Sequence, residues 1–268
     1  MRFFLMLVSW IRFCLYAGLA AAAVMVLAGL GLVVHTAGDL PRLPSPLSRI
    51  IETPQTQIFA ANGQTLVTLG ERKTIPLDMV SKDFINAILA VEDHRFFEHH
   101  GINKLRTVKG LYLTLFKGKI QGASTITQQL AKNLFFTFEQ TYTRKFKELL
   151  VALQIEASNS KPQILHAYIN QIHFGAGAQG IERAAQTFFG KSALELSLSE
   201  AALLAGLPKS PTRYNPLRYY ERSLQRRNVV LKRMVQTGFV TELEAEHARA
   251  ERPVLSQSHS DSRTGSYF

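Results

Sequence analysis

Apolar residues open the chain as one unbroken block, with no charged side chain over residues 13–34. A helix of that length reaches roughly 33 Å, enough to cross the hydrocarbon core of a bilayer. The block exceeds the ~7–15 apolar residues of a cleaved secretory signal, so an uncleaved anchor over 13–35 is the better reading, even though Ala20 to Ala23 supply small residues of the kind a signal peptidase accepts. Arg2, Arg12 and the terminal amine outweigh Arg42 and Arg49, which Asp39 partly offsets, so residues 1–12 are expected on the cytoplasmic side. Next, Pro41, Pro44 and Pro46 with Ser45 and Ser48 resist helix and predict a tether over 36–55. Two short apolar runs, Ile58-Phe59 and Leu66 to Leu69, then flank Asn62-Gly63 and predict a β-hairpin over 56–74.

From Ser81 the period becomes helical, with Phe84, Ile88 and Val91 at i, i+4 and i+7. Helix-forming residues continue to about Ala250, broken at Gly101, 118–122, 159–162, 175–180, Gly190 and 208–216. This pattern predicts a mainly α body over 75–240, with a C-terminal helix and tail over 241–268. No internal repeat is evident. A hydrophobic share of 46% with 19% charged residues excludes a disordered chain. The net charge of +11 favours an anionic partner: nucleic acid, anionic lipid or a phosphorylated substrate. The topology disfavours nucleic acid, because it places the basic body outside the cytoplasm. Cys14, the only cysteine, lies in the apolar block, so neither an intrachain disulfide nor a cysteine metal site is available.

Three clusters carry candidate chemistry. Residues 90–101 crowd Glu92, Asp93, His94, Phe96, Phe97, Glu98, His99 and His100 behind an apolar helix face, so a carboxylate held among Phe96 and Phe97 is a candidate general base. A polar helix end is the plain alternative. His94, Glu98 and His99 do not form the spacing of a helical zinc motif. Residues 121–133 read as a glycine loop entering a helix capped by Ser124, with Thr125, Gln128, Gln129 and Lys132 on one face and Ile126, Leu130 and Leu134 on another. So many amides and hydroxyls beside a lysine suit carbohydrate or pyrophosphate better than bare solvent. Arg144-Lys145 with Glu148 forms the third cluster, where Arg144 and Glu148 also have the spacing of an ordinary surface ion pair. Between the first two, residues 108–120 interleave Leu111, Tyr112, Leu113, Leu115 and Phe116 with Lys109, Lys117 and Lys119, the composition of a segment lying in a bilayer interface or of a core helix with exposed lysines.

Taken in order, these clusters resemble the signature motifs of glycosyltransferase family 51, the peptidoglycan glycosyltransferases of monofunctional enzymes and class A penicillin-binding proteins. Glu92-Asp93 with Phe96, His99 or His100 and Gly101 looks like the first motif, Gly122 to Asn133 the second, and Arg144-Lys145 with Glu148 the third. Ile164-Leu165, Tyr168, Asn170, Phe174-Gly175, Gly177, Gly180, Ala184-Ala185 and Phe189-Gly190-Lys191 resemble the fourth, and Leu198 to Ala201 through Leu207-Pro208 to Asn215-Pro216 the fifth. The resemblance covers about residues 75–240.

It implies a lysozyme-like helical glycosyltransferase domain with a smaller membrane-proximal lobe, acting on lipid II. Glu92 would serve as general base on the acceptor 4-hydroxyl, which attacks the donor's anomeric carbon with inversion and releases undecaprenyl pyrophosphate. Lys132 with Arg144 or Lys145 would neutralise the pyrophosphate. Glu148, the second family carboxylate, would position the donor or a divalent ion, magnesium or manganese, at the diphosphate; no other cofactor is implied. Asp93, Phe96, His100, Gly122, Ser124, Thr125, Gln128, Gln129, Asn133 and Asn170 would complete the substrate path. The implied partners are lipid II, the growing glycan, the membrane, and transpeptidase, divisome or elongasome proteins, with the catalytic body outside the cytoplasmic membrane. Four positions depart from the family pattern: Gln140 and Lys109 stand where Arg is usual, His166 where Glu is, and Asn103 where Asp is frequent. The hairpin and the ending Thr264 to Phe268 look like a class A protein without its transpeptidase domain. A lysozyme-type glycosidase and a catalytically degenerate membrane-anchored scaffold are the alternatives to be separated from this reading.

Overall fold

A computed structural model of the chain describes residues 2–38, 40–41, 43, 47, 56–69, 74–103, 124–136 and 141–256, which fall into two units, 1–42 and 43–268. The first unit is a single helix, α1 (Arg2–Ala37). It begins ahead of the uncharged block because nothing in the preceding residues breaks a helix. Its stretch Arg12–Gly29 has a mean hydropathy of 1.7 and no buried residue. A stretch this apolar and unburied suits an apolar surrounding and is a candidate membrane span. Most of the expected tether lies outside the described residues.

In the second unit, β1 (Thr56–Phe59) and β2 (Thr65–Leu69) pair antiparallel, with Ile58 opposite Val67. The hairpin expected from Asn62-Gly63 is present. Gly63 takes φ 82° and donates its N–H to the Ala60 carbonyl at 2.9 Å, while the Asn62 side-chain oxygen accepts from the Gln64 N–H at 3.0 Å. Only glycine takes that left-handed backbone without a Cβ penalty.

The body runs through α2 (Lys82–Glu92), α3 (Ile126–Phe135), α4 (Tyr142–Ser158), α5 (Lys161–Gln171), a small ladder of β3 (His173–Gly175) and β4 (Ala178–Gln179), α6 (Ile181–Phe189), α7 (Leu198–Gly206), α8 (Tyr220–Gln236) and α9 (Glu242–Ala250). The mainly α expectation therefore holds. Ser197 and Glu200 start α7 with a reciprocal capping box, and every residue from Ser199 to Gly206 is buried. A helix apolar on all sides belongs in the interior. Here α2 and α8 both pack on α7, while α3 packs on α4 and α5.

Arg227 fixes α9 to this centre. Its guanidinium, 2% exposed, donates to Ser199 Oγ at 2.8 Å and to the Glu251 and Arg249 carbonyls at 2.6 and 2.8 Å. Those carbonyls end α9, where the helix dipole is negative and a cation is favoured. The breaks expected at 159–162 and Gly190 fall between helices: Asn159 and Ser160 separate α4 from α5, and Gly190 ends α6 in the left-handed region. The break at 118–122 and the lysine-flanked segment 108–120, expected to lie in a bilayer interface or to form a core helix, lie outside the described residues.

Candidate active site

Adjacent carboxylates at the end of α2 face different surroundings. Asp93, 1% exposed, accepts from His99 Nε2 at 2.9 Å and from the Ile126 backbone N–H at 3.2 Å. It therefore caps the N-terminus of α3, where an anion is favoured, and ties the ends of two helices together. Glu92 is only partly buried; its Oε2 accepts from Gln129 Nε2 at 2.7 Å. Gln129 Oε1 in turn accepts from the Tyr168 hydroxyl at 3.1 Å. Burial pushes the Tyr168 phenol well above its ordinary value of 10, and the nearby carboxylates of Glu92 and Asp93 push the same way.

Two open cavities share Gln129, Lys132 and Pro208 in their walls. One, of about 410 Å³, is lined by Glu92, Ser124, Lys209, Arg226 and Arg233 as well. The other, of about 600 Å³, adds Asn133, Phe136, Arg144, Gln171 and His173. Among the described residues, Glu92 is the only carboxylate in either lining, set against five lysines and arginines. Such a surface takes an anionic ligand, with one base aimed into it.

The Arg144–Glu148 ion pair that the spacing allows is present, but its acid is buried and not on the surface. Glu148 is 1% exposed, with Lys145 Nζ at 2.8 Å and Arg144 Nη1 at 3.2 Å. Lys145 Nζ also reaches Ser124 Oγ at 2.8 Å, so the buried acid fixes two cations and links the start of α4 to the loop before α3. In this structure the charge of Glu148 is shared by two cations, and the described residues contain no group of three acids or histidines able to hold a metal by themselves.

Other candidates are occupied by the fold. Thr125, not Ser124, is the N-cap of α3; it forms a capping box with Gln128 and donates its hydroxyl to the Gly101 carbonyl at 2.7 Å. Gln128 is thereby buried and turned back on its own helix, away from the face that Gln129 and Lys132 present. Phe96 is a fully buried core ring with Lys161 Nζ 4.3 Å from its centroid. Asn170, 3% exposed, brackets Ile75: its side chain accepts from the Ile75 N–H at 3.1 Å and donates to the Ile75 carbonyl at 2.9 Å. Gly180, at φ 80°, lies so close that a Cβ would stand 2.9 Å from the Asn170 carbonyl oxygen. His99 meets Asp93, and His100 is exposed. Gly122, Lys109 and Gln140 lie outside the described residues.

Sequence reasoning passed over Arg226. It is 8% exposed, donates Nε to the Gly206 carbonyl at 3.2 Å and lines the Glu92 cavity. Burial lowers its pKa from the ordinary arginine value, and Glu92 chiefly opposes that shift. Gly206 is what lets it cross α7, since a Cβ there would stand 2.9 Å from Arg226 Cγ. In the sequence the only signal was an arginine at a buried position of the α8 period.

A family model described as Transglycosylase matches residues 62–235. Penicillin-binding protein 1A of Aquifex aeolicus is 43% identical over 89% of this chain and 33% of its own length. The protein of the same name from Escherichia coli K12 is 40% identical over 87% of the chain and 28% of its length. The crystal structure of penicillin-binding protein 1A from Haemophilus influenzae aligns with 76% of this chain and 21% of that one, at 29% identity and a TM-score of 0.42. The chain thus spans about a third or less of the length of these relatives. With most of its helical body inside the matched region and the five motifs in order, the chain belongs to the transglycosylase family, glycosyltransferase family 51, the peptidoglycan glycosyltransferases.

Proposed function

We propose that the protein polymerises lipid II into glycan strands on the outer face of the cytoplasmic membrane, anchored there by α1. The observation that carries this reading is the isolation of Glu92, one open carboxylate in a basic cleft, next to an Asp93 consumed by the fold. Glu92 takes the proton of the acceptor 4-hydroxyl as that oxygen attacks the donor's anomeric carbon. The bond from the anomeric carbon to the pyrophosphate oxygen breaks with inversion, its electron pair stays on that oxygen, and undecaprenyl pyrophosphate leaves with one more negative charge than it carried in the donor. Lys132 and Arg144, on one cavity wall, neutralise that charge. Glu148 acts through the two cations it holds, and a divalent ion, magnesium or manganese, at the diphosphate would add to their charge. Ser124, Gln129 and Asn133 line the path, whereas Thr125, Gln128 and Asn170 shape it from behind. The cationic cleft suits a lipid-linked diphosphate held at a membrane, and transpeptidases with divisome or elongasome proteins are its proposed protein partners.

Polymerisation of labelled lipid II by the purified, detergent-solubilised chain tests this. Product is expected from the wild type, inhibited by moenomycin, and lost about 10²–10⁴-fold in Glu92→Gln, as when a general base is removed. Product from Glu92→Gln at the wild-type rate would refute the base. Release of short sugars from finished glycan without polymer growth would replace the reading with a glycosidase, and a folded wild type with neither activity would replace it with a scaffold.

A further inference from the structure

Glu92 is the last residue of α2. It accepts a hydrogen bond from the Gln129 side chain, which can be turned two ways. An amide can present either its oxygen or its NH2 to a partner, and a carboxylate accepts only from the NH2. Turned the wrong way, Gln129 would set its oxygen against Glu92, repelling the base.

We infer that Tyr168 is a positioning residue for the reaction: its hydroxyl fixes the amide of Gln129 so that the NH2 faces Glu92 and holds the base in place. The polarity of the chain is set from its far end. Tyr168 is fully buried on α5, and its phenol is pushed above its ordinary value by burial and by the two nearby carboxylates, which favours the protonated, donating form. It therefore donates to Gln129 Oε1 at 3.1 Å, which leaves Gln129 Nε2 to donate to Glu92 Oε2 at 2.7 Å. Three helices converge in this line: α5 carries the donor, α3 the amide and α2 the acid. Since α3 packs on α5 and Asp93 ties the end of α2 to the start of α3, the backbone holds the three side chains in reach. Gln129 also lines both cavities, so whatever orients it orients the boundary between them.

This inference rests on the reading of Glu92 as the base, and its test separates the two. Tyr168→Phe removes the hydroxyl and keeps the ring. Turnover by the full chain at saturating lipid II is expected to fall roughly tenfold, with KM within about twofold, since one hydrogen bond that orients the base is lost and no substrate contact is. Gln129→Met cuts the same line at its middle and should lose at least as much turnover. In the Gln129→Met background, Tyr168→Phe should cost nothing further, because its only route to Glu92 is already gone. Wild-type turnover in Tyr168→Phe, or the same fold loss in both backgrounds, would overturn the inference. Should Tyr168→Phe fail to fold, wild-type turnover in Gln129→Met would overturn it equally. Glu92→Gln is run alongside: if it keeps wild-type turnover the base assignment fails, whereas an inactive Glu92→Gln beside a fully active Tyr168→Phe fails the positioning role alone.

Discussion

Asp93 offers the sharpest separation between a structural acid and a chemical one. Replacing it by Ala leaves two buried donors, the Ile126 N–H and His99 Nε2, without the acceptor they share at 3.2 and 2.9 Å. A buried donor left unpaired costs about 1–3 kcal/mol. The positive end of α3 also loses the anion that caps it, a further ~0.3–1 kcal/mol. The carboxylate is 1% exposed, so little of this is returned by solvent, and the loss should be about 3 kcal/mol or more. For a domain of this size that lowers Tm by roughly 6–12 °C, at ~2–4 °C per kcal/mol. Asp93→Asn keeps one acceptor oxygen in place and should lose about half as much. Thermal unfolding followed by circular dichroism, in one detergent and at one pH, measures both, and lipid II polymerisation is read below the lower midpoint. Unchanged Tm with lost activity would refute the reasoning, because it would move Asp93 from holding α3 to touching substrate.

Two further outcomes are expected. Arg226→Met keeps the side-chain stalk beside Gly206 but removes the guanidinium, so the protein should stay folded while polymerisation at saturating lipid II falls about tenfold or more; Arg226→Lys should retain the larger share, and full turnover in the Met variant would show that this cation faces the cleft without acting there. Asp83 is held above its ordinary value of 3.8, first by burial and then by Glu244, despite its place in the first turn of α2. A raised acid favours the folded state below the ordinary value and loses that contribution as pH rises through the folded one, so Asp83→Asn should raise Tm at neutral pH and bring no gain near about pH 3.

The chain's order alone determined much of this protein. The uncharged block has the length of a bilayer, Asn62-Gly63 between apolar runs makes a hairpin, and the spacing of Phe84, Ile88 and Val91 makes α2. Each is a local property, set by period, chain length or the φ of one glycine. Residue types at fixed intervals likewise marked Glu92, Lys132 and Arg144 as members of a site. Packing alone divided the labour among them. Glu92 and Asp93 are equivalent in the sequence, and they differ because Asp93 points at the start of α3 and Glu92 at Gln129. Thr125 and Gln128 look like ligands for sugar until the N-terminus of α3 claims both. Arg144 and Glu148 have the interval of a surface pair, yet the fold buries the acid. Arg226 and Arg227 are neighbours on one helix, but one turns to the cleft and the other to the end of α9. The physical reason is that a side chain's partner is whichever unsatisfied group the folded chain brings within hydrogen-bond reach. For Asp93, Arg226 and Arg227 that group comes from a segment tens of residues away, and for Thr125 and Glu148 the partner is near in sequence but packing decides that the residue is buried.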